Sequence, residues 1–100
     1  MSHRFKSIIK SGSLVLVDFY ADWCQPCKQL QPVLKELKTS CKDNIRIIKV
    51  NVDKNPFIAN EFRVKNIPTL MLFQSGDIKW TGEGIFNVSD LKEIIQKSIH

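Results

Sequence analysis

The sequence predicts an α/β domain, a mixed sheet with helices on both faces. Three observations predict it. Apolar runs at residues 14–21 and 45–52 read as strands, and between them apolar residues recur at helical spacing. Residues 69–73 and 78–81 flank Gln74-Ser75-Gly76-Asp77, a turn signal, and read as a hairpin. A final helical stripe, Leu91, Ile94, Ile95 and Ile99, follows. The expected order is α-β-α-β-α-β-β-α, about four strands and four helices, in a single domain over residues 1–100.

The elements follow in order. Phe5, Ile8 and Ile9 stand at helical spacing, and Gly12 ends that segment. Residues 14–21 are continuously apolar except for Asp18, as in a central parallel strand covered on both faces. Leu30, Val33, Leu34, Leu37 and Cys41 form a second helical stripe. Pro32 lies inside it, cannot donate to the carbonyl of Lys28, and is expected to kink the helix. Residues 45–52 are a β-branched strand closed by Asp53. A short helix then starts with Pro56 at its first position and runs to Phe62. Asn87 with Asp90 three residues later has the form of a capping box.

Composition narrows the function classes. One hundred residues, 43% of them hydrophobic, can bury a core without staples. No run approaches the 18 or so apolar residues of a membrane-spanning helix. The net charge of +5 comes from basic residues scattered without interleaved aromatics, so a solvated surface is expected rather than a nucleic-acid stripe. The first six residues lack the apolar segment of a signal peptide, which leads to the expectation of a cytoplasmic monomer whose thiols are reduced. An odd count of 3 cysteines argues against a disulfide scaffold.

Chemistry concentrates at Trp23-Cys24-Gln25-Pro26-Cys27-Lys28, where the first strand gives way to a helix. Two cysteines three apart close a small disulfide only if the backbone bends, and a helix start supplies the bend. Its unpaired N–H groups and dipole favour a thiolate on Cys24, which marks a reactive dithiol. Cys24 is therefore the expected nucleophile and the more exposed sulfur, with Cys27, one turn on, resolving the mixed disulfide. The competing reading is half of a zinc site. The remaining ligand candidates are His3, His100 and Cys41; the histidines are terminal, and Cys41 lies roughly 20 Å along the helix at ~1.5 Å per residue. No metal site is expected. Cys41 reads as a small apolar group of the helical stripe. Gly82-x-Gly84 follows no strand-to-helix turn and is no dinucleotide fingerprint. Asn87-Val88-Ser89 is a glycosylation sequon in form only.

The ordered set of segments resembles the thioredoxin family. Residues 17–28 look like its active-site segment, Asn66-Ile67-Pro68-Thr69-Leu70 like its cis-proline loop, and Ser75-Gly76-Asp77 like its hairpin turn, with Pro32 and Gly84 at matching places. The resemblance covers the chain from about Phe5 onward. Two departures stand out. Gln25 replaces the family's glycine between the first cysteine and the proline. Only 13 residues precede Leu14, too few for the usual first strand plus a helix, so that strand is expected to be missing or vestigial. The strand at residues 45–53 then becomes a sheet edge, guarded by Arg46 and Lys49.

The resemblance implies a thioredoxin fold and a thiol–disulfide oxidoreductase that reduces protein disulfides, with no bound cofactor and an NADPH-dependent thioredoxin reductase as electron source. It places Asp18 beneath Cys27 as a proton-transfer group, with a pKa raised by burial, and Lys49 nearby to tune it. It implies a cis bond before Pro68 and pairing of the Ile67 backbone with the extended chain of a partner. Trp23, Pro26, Ile67 and Gly84 would form the docking surface, with Gln25 beside Cys24 adjusting potential and fit. Glu83 and Ile85 differ from the small or apolar residues common beside that glycine, which would alter partner preference. The alternatives are a disulfide oxidant or isomerase, against which Pro26 weighs, and a non-catalytic binding module.

Overall fold

A computed structural model of the chain describes residues 3–99; His100, one of the candidate ligands, lies outside them. Among these residues four strands form one mixed sheet in the order β2-β1-β3-β4. Strand β1 (Leu14–Tyr20) is parallel to β2 (Arg46–Asn51) and antiparallel to β3 (Thr69–Gln74), which pairs antiparallel with β4 (Asp77–Glu83). Four α-helices surround the sheet: α1 (His3–Ile9), α2 (Gln25–Cys41), α3 (Pro56–Glu61) and α4 (Val88–Ser98).

The period-two alternation of β1 sorts the core into two layers. Val15, Val17 and Phe19 pack with Phe5 and Ile9 of α1 and Ile58 of α3. Leu16 packs on the other face with Leu30, Leu34 and Leu37 of α2 and Leu91 of α4. Asp18 has the parity of Leu16 and so faces α2, fully buried at 0% exposure. Because β1 lies inside the sheet with helices on both sides, it reads as an apolar run rather than an alternating one.

No strand precedes α1 among the described residues: His3–Ile9 are helical and β2 is an edge. Arg46 and Lys49 are exposed on it. Helix α2 runs through Pro32, which is exposed, without a break in the helical assignment. Several boundaries differ from expectation for local reasons. Strand β2 stops at Asn51, because this buried side chain turns the backbone, its Oδ1 accepting from Asp53 N at 2.9 Å and Lys54 N at 3.2 Å. Helix α4 stops at Ser98, leaving Ile99 extended beyond its end. At its start, Asn87 Oδ1 accepts from Asp90 N at 2.7 Å, the N-cap half of a capping box. Ser75 and Gly76 both have positive φ, the turn geometry that matches the twist of a two-residue hairpin.

Candidate active site

The site lies where β1 runs out towards α2. Past Tyr20 the chain turns, with Cys24 N donating to Ala21 O at 3.2 Å, and Cys24 becomes the N-cap of α2 in an extended conformation. Its Sγ accepts the backbone N–H of Cys27 at 3.2 Å. Pro26 fits the first turn because the N–H it lacks would have had no helical partner there. Cys24 and Cys27 are joined as a disulfide with Cα atoms 5.3 Å apart, within the usual bridging range.

The expected difference in access between the two sulfurs is slight in this oxidised state. Cys24 is 3% exposed and Cys27 1%, because Ala21, Val52 and Ile67 pack around them. Around this small apolar patch stands a more open rim. Trp23 is 68% exposed, and its indole Nε1–H donates to Asp53 Oδ2 at 2.9 Å, which fixes the ring's orientation. Gln25 and Pro26 are exposed beside it.

On the opposite side the Ile67–Pro68 peptide is cis, and Ile67 O lies 3.8 Å from Cys24 Sγ. A disulfide sulfur carries no proton, so this is a contact; the reduced thiol could donate across it. Gly84 N donates to Pro68 O at 2.9 Å, tying the end of β4 to the proline loop. Gly84 has φ +94°, a conformation that side-chain-bearing residues adopt only with strain. Asn66 Nδ2 donates to Glu83 Oε1 at 3.1 Å and fastens the same two segments from outside. Ile85 is half-exposed next to Gly84.

Beneath Cys27 lies Asp18. Gln31 Nε2 donates to its Oδ2 at 3.0 Å and lies 3.4 Å from Cys27 O, while Asp18 Oδ1 is buried without a hydrogen-bond partner. Burial pushes the Asp18 carboxyl above the ordinary carboxylate range, and the Gln31 bond and the Lys49 charge pull partly back. Lys49 is the cross-strand partner of Asp18, but no ion pair joins them; its ammonium sits 4.4 Å from the centre of the Tyr20 ring. Its influence on Asp18 is thus that of a charge acting without a direct contact.

Cys41 ends α2, at the far end from the disulfide, half-buried against the α2/α4 core. Among the described residues no three His, Cys, Asp or Glu side chains are grouped to hold a metal. None of the described helices is long and apolar enough to cross a membrane.

The comparisons with known proteins agree with this geometry. The thioredoxin family profile matches residues 1–97. The chain belongs to the thioredoxin family. It is 42% identical to thioredoxin of Rickettsia felis over 94 residues, covering 94% of this chain and 90% of the relative. It is 38% identical to thioredoxin 1 of Chlorobaculum tepidum over 99% of both chains. Oxidised mitochondrial thioredoxin 3 of Saccharomyces cerevisiae superposes with a TM-score of 0.84 at 36% identity, covering 94% of this chain and 87% of that one. With its Cys24–Cys27 pair in bonding distance, this thioredoxin-family chain is a thiol–disulfide oxidoreductase, a protein-disulfide reductase whose redox carrier is its own cysteine pair.

Three side chains of the site escaped the sequence reading. Gln31 had a signal, a polar residue one turn after Cys27 beside the apolar stripe. Asp53, which holds Trp23, and Asn66, which holds Glu83, had none, since both act across 17 or more residues of chain.

Proposed function

We propose that Cys24 is the attacking nucleophile, Cys27 the resolving thiol and Asp18 the proton acceptor for Cys27. The observation that carries this reading is the backbone N–H of Cys27 donating to Cys24 Sγ at the start of α2. A donor and a helix dipole aimed at one sulfur stabilise its thiolate over its thiol.

In the reduced protein, Cys24 thiolate attacks one sulfur of a partner disulfide. A Cys24–partner bond forms, the partner's S–S bond breaks, and its second sulfur leaves as thiolate. Cys27 Sγ–H passes its proton to Asp18, and the Cys27 thiolate attacks Cys24 Sγ. The Cys24–Cys27 bond forms, the mixed disulfide breaks, and the partner's first sulfur leaves. Two electrons have moved to the partner, whose two thiolates take up protons. The raised proton affinity of buried Asp18 suits it to take a proton from a thiol. Lys49 tunes that affinity through its charge.

The partner's backbone lies along Ile67 as an extended strand, and Trp23, Gln25, Pro26, Pro68 and Gly84 form the walls of the seat. Gly84 supports this role by presenting no side chain over the proline loop. Its disulfide-containing protein substrates are reduced in the cytoplasm, and an NADPH-dependent thioredoxin reductase restores the dithiol. The chain acts as a single-domain monomer.

The test is trapping. Cys27→Ser should accumulate a covalent adduct with a disulfide-containing protein such as insulin, while Cys24→Ser should form none. Adducts through Cys27 in Cys24→Ser at an equal rate would reverse the assignment. Equilibration with a glutathione buffer should give a strongly reducing poise; a poise near that of the endoplasmic reticulum would support an oxidant or isomerase instead.

A further inference from the structure

Gln31 touches the Asp18 carboxyl and the backbone carbonyl of Cys27, the two residues that exchange a proton in the resolving step. It stands one turn after Cys27 on α2, half-buried, with Nε2 3.0 Å from Asp18 Oδ2 and 3.4 Å from Cys27 O. A backbone carbonyl only accepts, so the amide nitrogen and not the amide oxygen faces this pair. Donation to Oδ2 makes that oxygen the less basic of the two, which leaves the partnerless Oδ1 as the proton-carrying atom. Cys27, Gln31 and Lys49, but not Asp18, line a cavity of about 140 Å³. Gln31 thus both donates to the carboxyl and lines the cavity, which Asp18 does not.

We propose that Gln31 is a positioning residue for the resolving step, holding Asp18 by Oδ2 so that Oδ1 exchanges the proton with Cys27. This rests on Asp18 being the proton acceptor, as proposed above. Gln31 neither gains nor loses a proton. The transfer runs from Cys27 Sγ–H to Asp18 Oδ1, and the new S–S bond forms as the mixed disulfide breaks. The other groups around Asp18 are Lys49 from β2, apolar Leu70 opposite it on β3, and Tyr20, Asp22 and Lys28 around the cavity. Of these, the Lys49 charge acts on Asp18 in the same direction as the Gln31 donor, each favouring the ionised form against burial.

The test follows the decay of a preformed mixed disulfide on Cys24 from mildly acidic to mildly alkaline pH. Gln31→Met keeps length and removes the donor. It should slow the decay by about tenfold on the acidic side, the size of one hydrogen bond to a charged group, and the gap should close as pH rises and Asp18 ionises in both proteins. Gln31→Lys restores a donor and should recover the acidic limb. A carbon-13 titration of the Asp18 carboxyl should move to higher pH in Gln31→Met. Superimposed profiles for Gln31→Met and the parent overturn the proposal, as does a slowing equal at every pH, the mark of a purely structural role. Asp18→Asn, run alongside, separates the two readings: if it leaves decay unchanged, the role of Asp18 itself fails. If it slows decay while Gln31→Met does not, only the role of Gln31 fails.

Discussion

On the α1/α3 face of the sheet, Phe5, Phe62 and Phe73 meet edge to face at centroid separations of 5.5 to 6.4 Å. On the α2/α4 face, Leu16, Leu30, Leu34, Leu37 and Leu91 share their layer with one buried carboxyl, Asp18. The same strand feeds both, Val17 and Phe19 one way, Leu16 and Asp18 the other. The first face is held by shape alone, with quadrupolar ring contacts adding about 0.5–1.5 kcal/mol per pair beyond burial. The second gives up some apolar contact for a group whose charge can change. A central strand can therefore carry rigid packing on one side and adjustable electrostatics on the other, a single peptide apart.

The largest effect that would break this division is expected at Phe73, 0% exposed in the aromatic cluster. Phe73→Ala should cost about 3–5 kcal/mol in a urea denaturation, the usual range for emptying a buried aromatic site. Under conditions where the variant is still folded, its disulfide-reduction rate should keep the parent's pH profile. A shifted profile would mean that the aromatic face reaches the chemistry after all.

Asp18→Asn should act in the opposite sense, slowing the protein while stabilising it. General bases contribute roughly 10²–10⁴-fold, which sets the upper range for the loss in the resolving step. The stability gain should depend on pH. Burial raises the Asp18 pKa above its ordinary 3.8, so between pH 3.8 and the folded value the folded state holds a proton that the unfolded state releases. Stability from this group is then complete below the unfolded value and is lost as pH rises through the folded one. Asparagine does not titrate, so the advantage in Tm of Asp18→Asn over the parent should grow across that window and level off above it. A difference in Tm independent of pH would remove Asp18 from the titrating groups.

The contrast between the faces was half legible in the sequence. Strand and helix periodicity gave the apolar partners of both layers, and Asp18 stood out as the lone interruption of residues 14–21. Among the described residues no strand precedes α1, in agreement with the short segment before Leu14. The contacts of Gln31, Asp53 and Asn66 were not legible, because long-range polar pairs depend on rotamers and loop paths that leave no period. The boundary at Asn51 was missed for a related reason: its buried side chain serves the turn, not the strand. The position of the Lys49 ammonium over Tyr20 rather than on Asp18 is likewise a matter of side-chain rotamer.

The smallest effect is expected at Gln25, where the reactive face meets solvent. It is the first residue of α2, exposed, and adjacent to Cys24. Its side chain therefore contributes little to packing, and Gln25→Gly should lower stability by less than about 1 kcal/mol, the cost of glycine in a helix interior. Glycine loosens the helix start whose Cys27 N–H donates to the Cys24 sulfur, so the thiolate and the disulfide should respond unequally. The thiol–disulfide equilibrium constant should change by less than about tenfold, or under about 30 mV for this two-electron couple. Redox equilibration against glutathione reads the potential, and insulin reduction reads the fit to a partner. If both match the parent, residue 25 has no part in the chemistry, and the reactive face begins at the sulfur itself rather than at the exposed first turn around it.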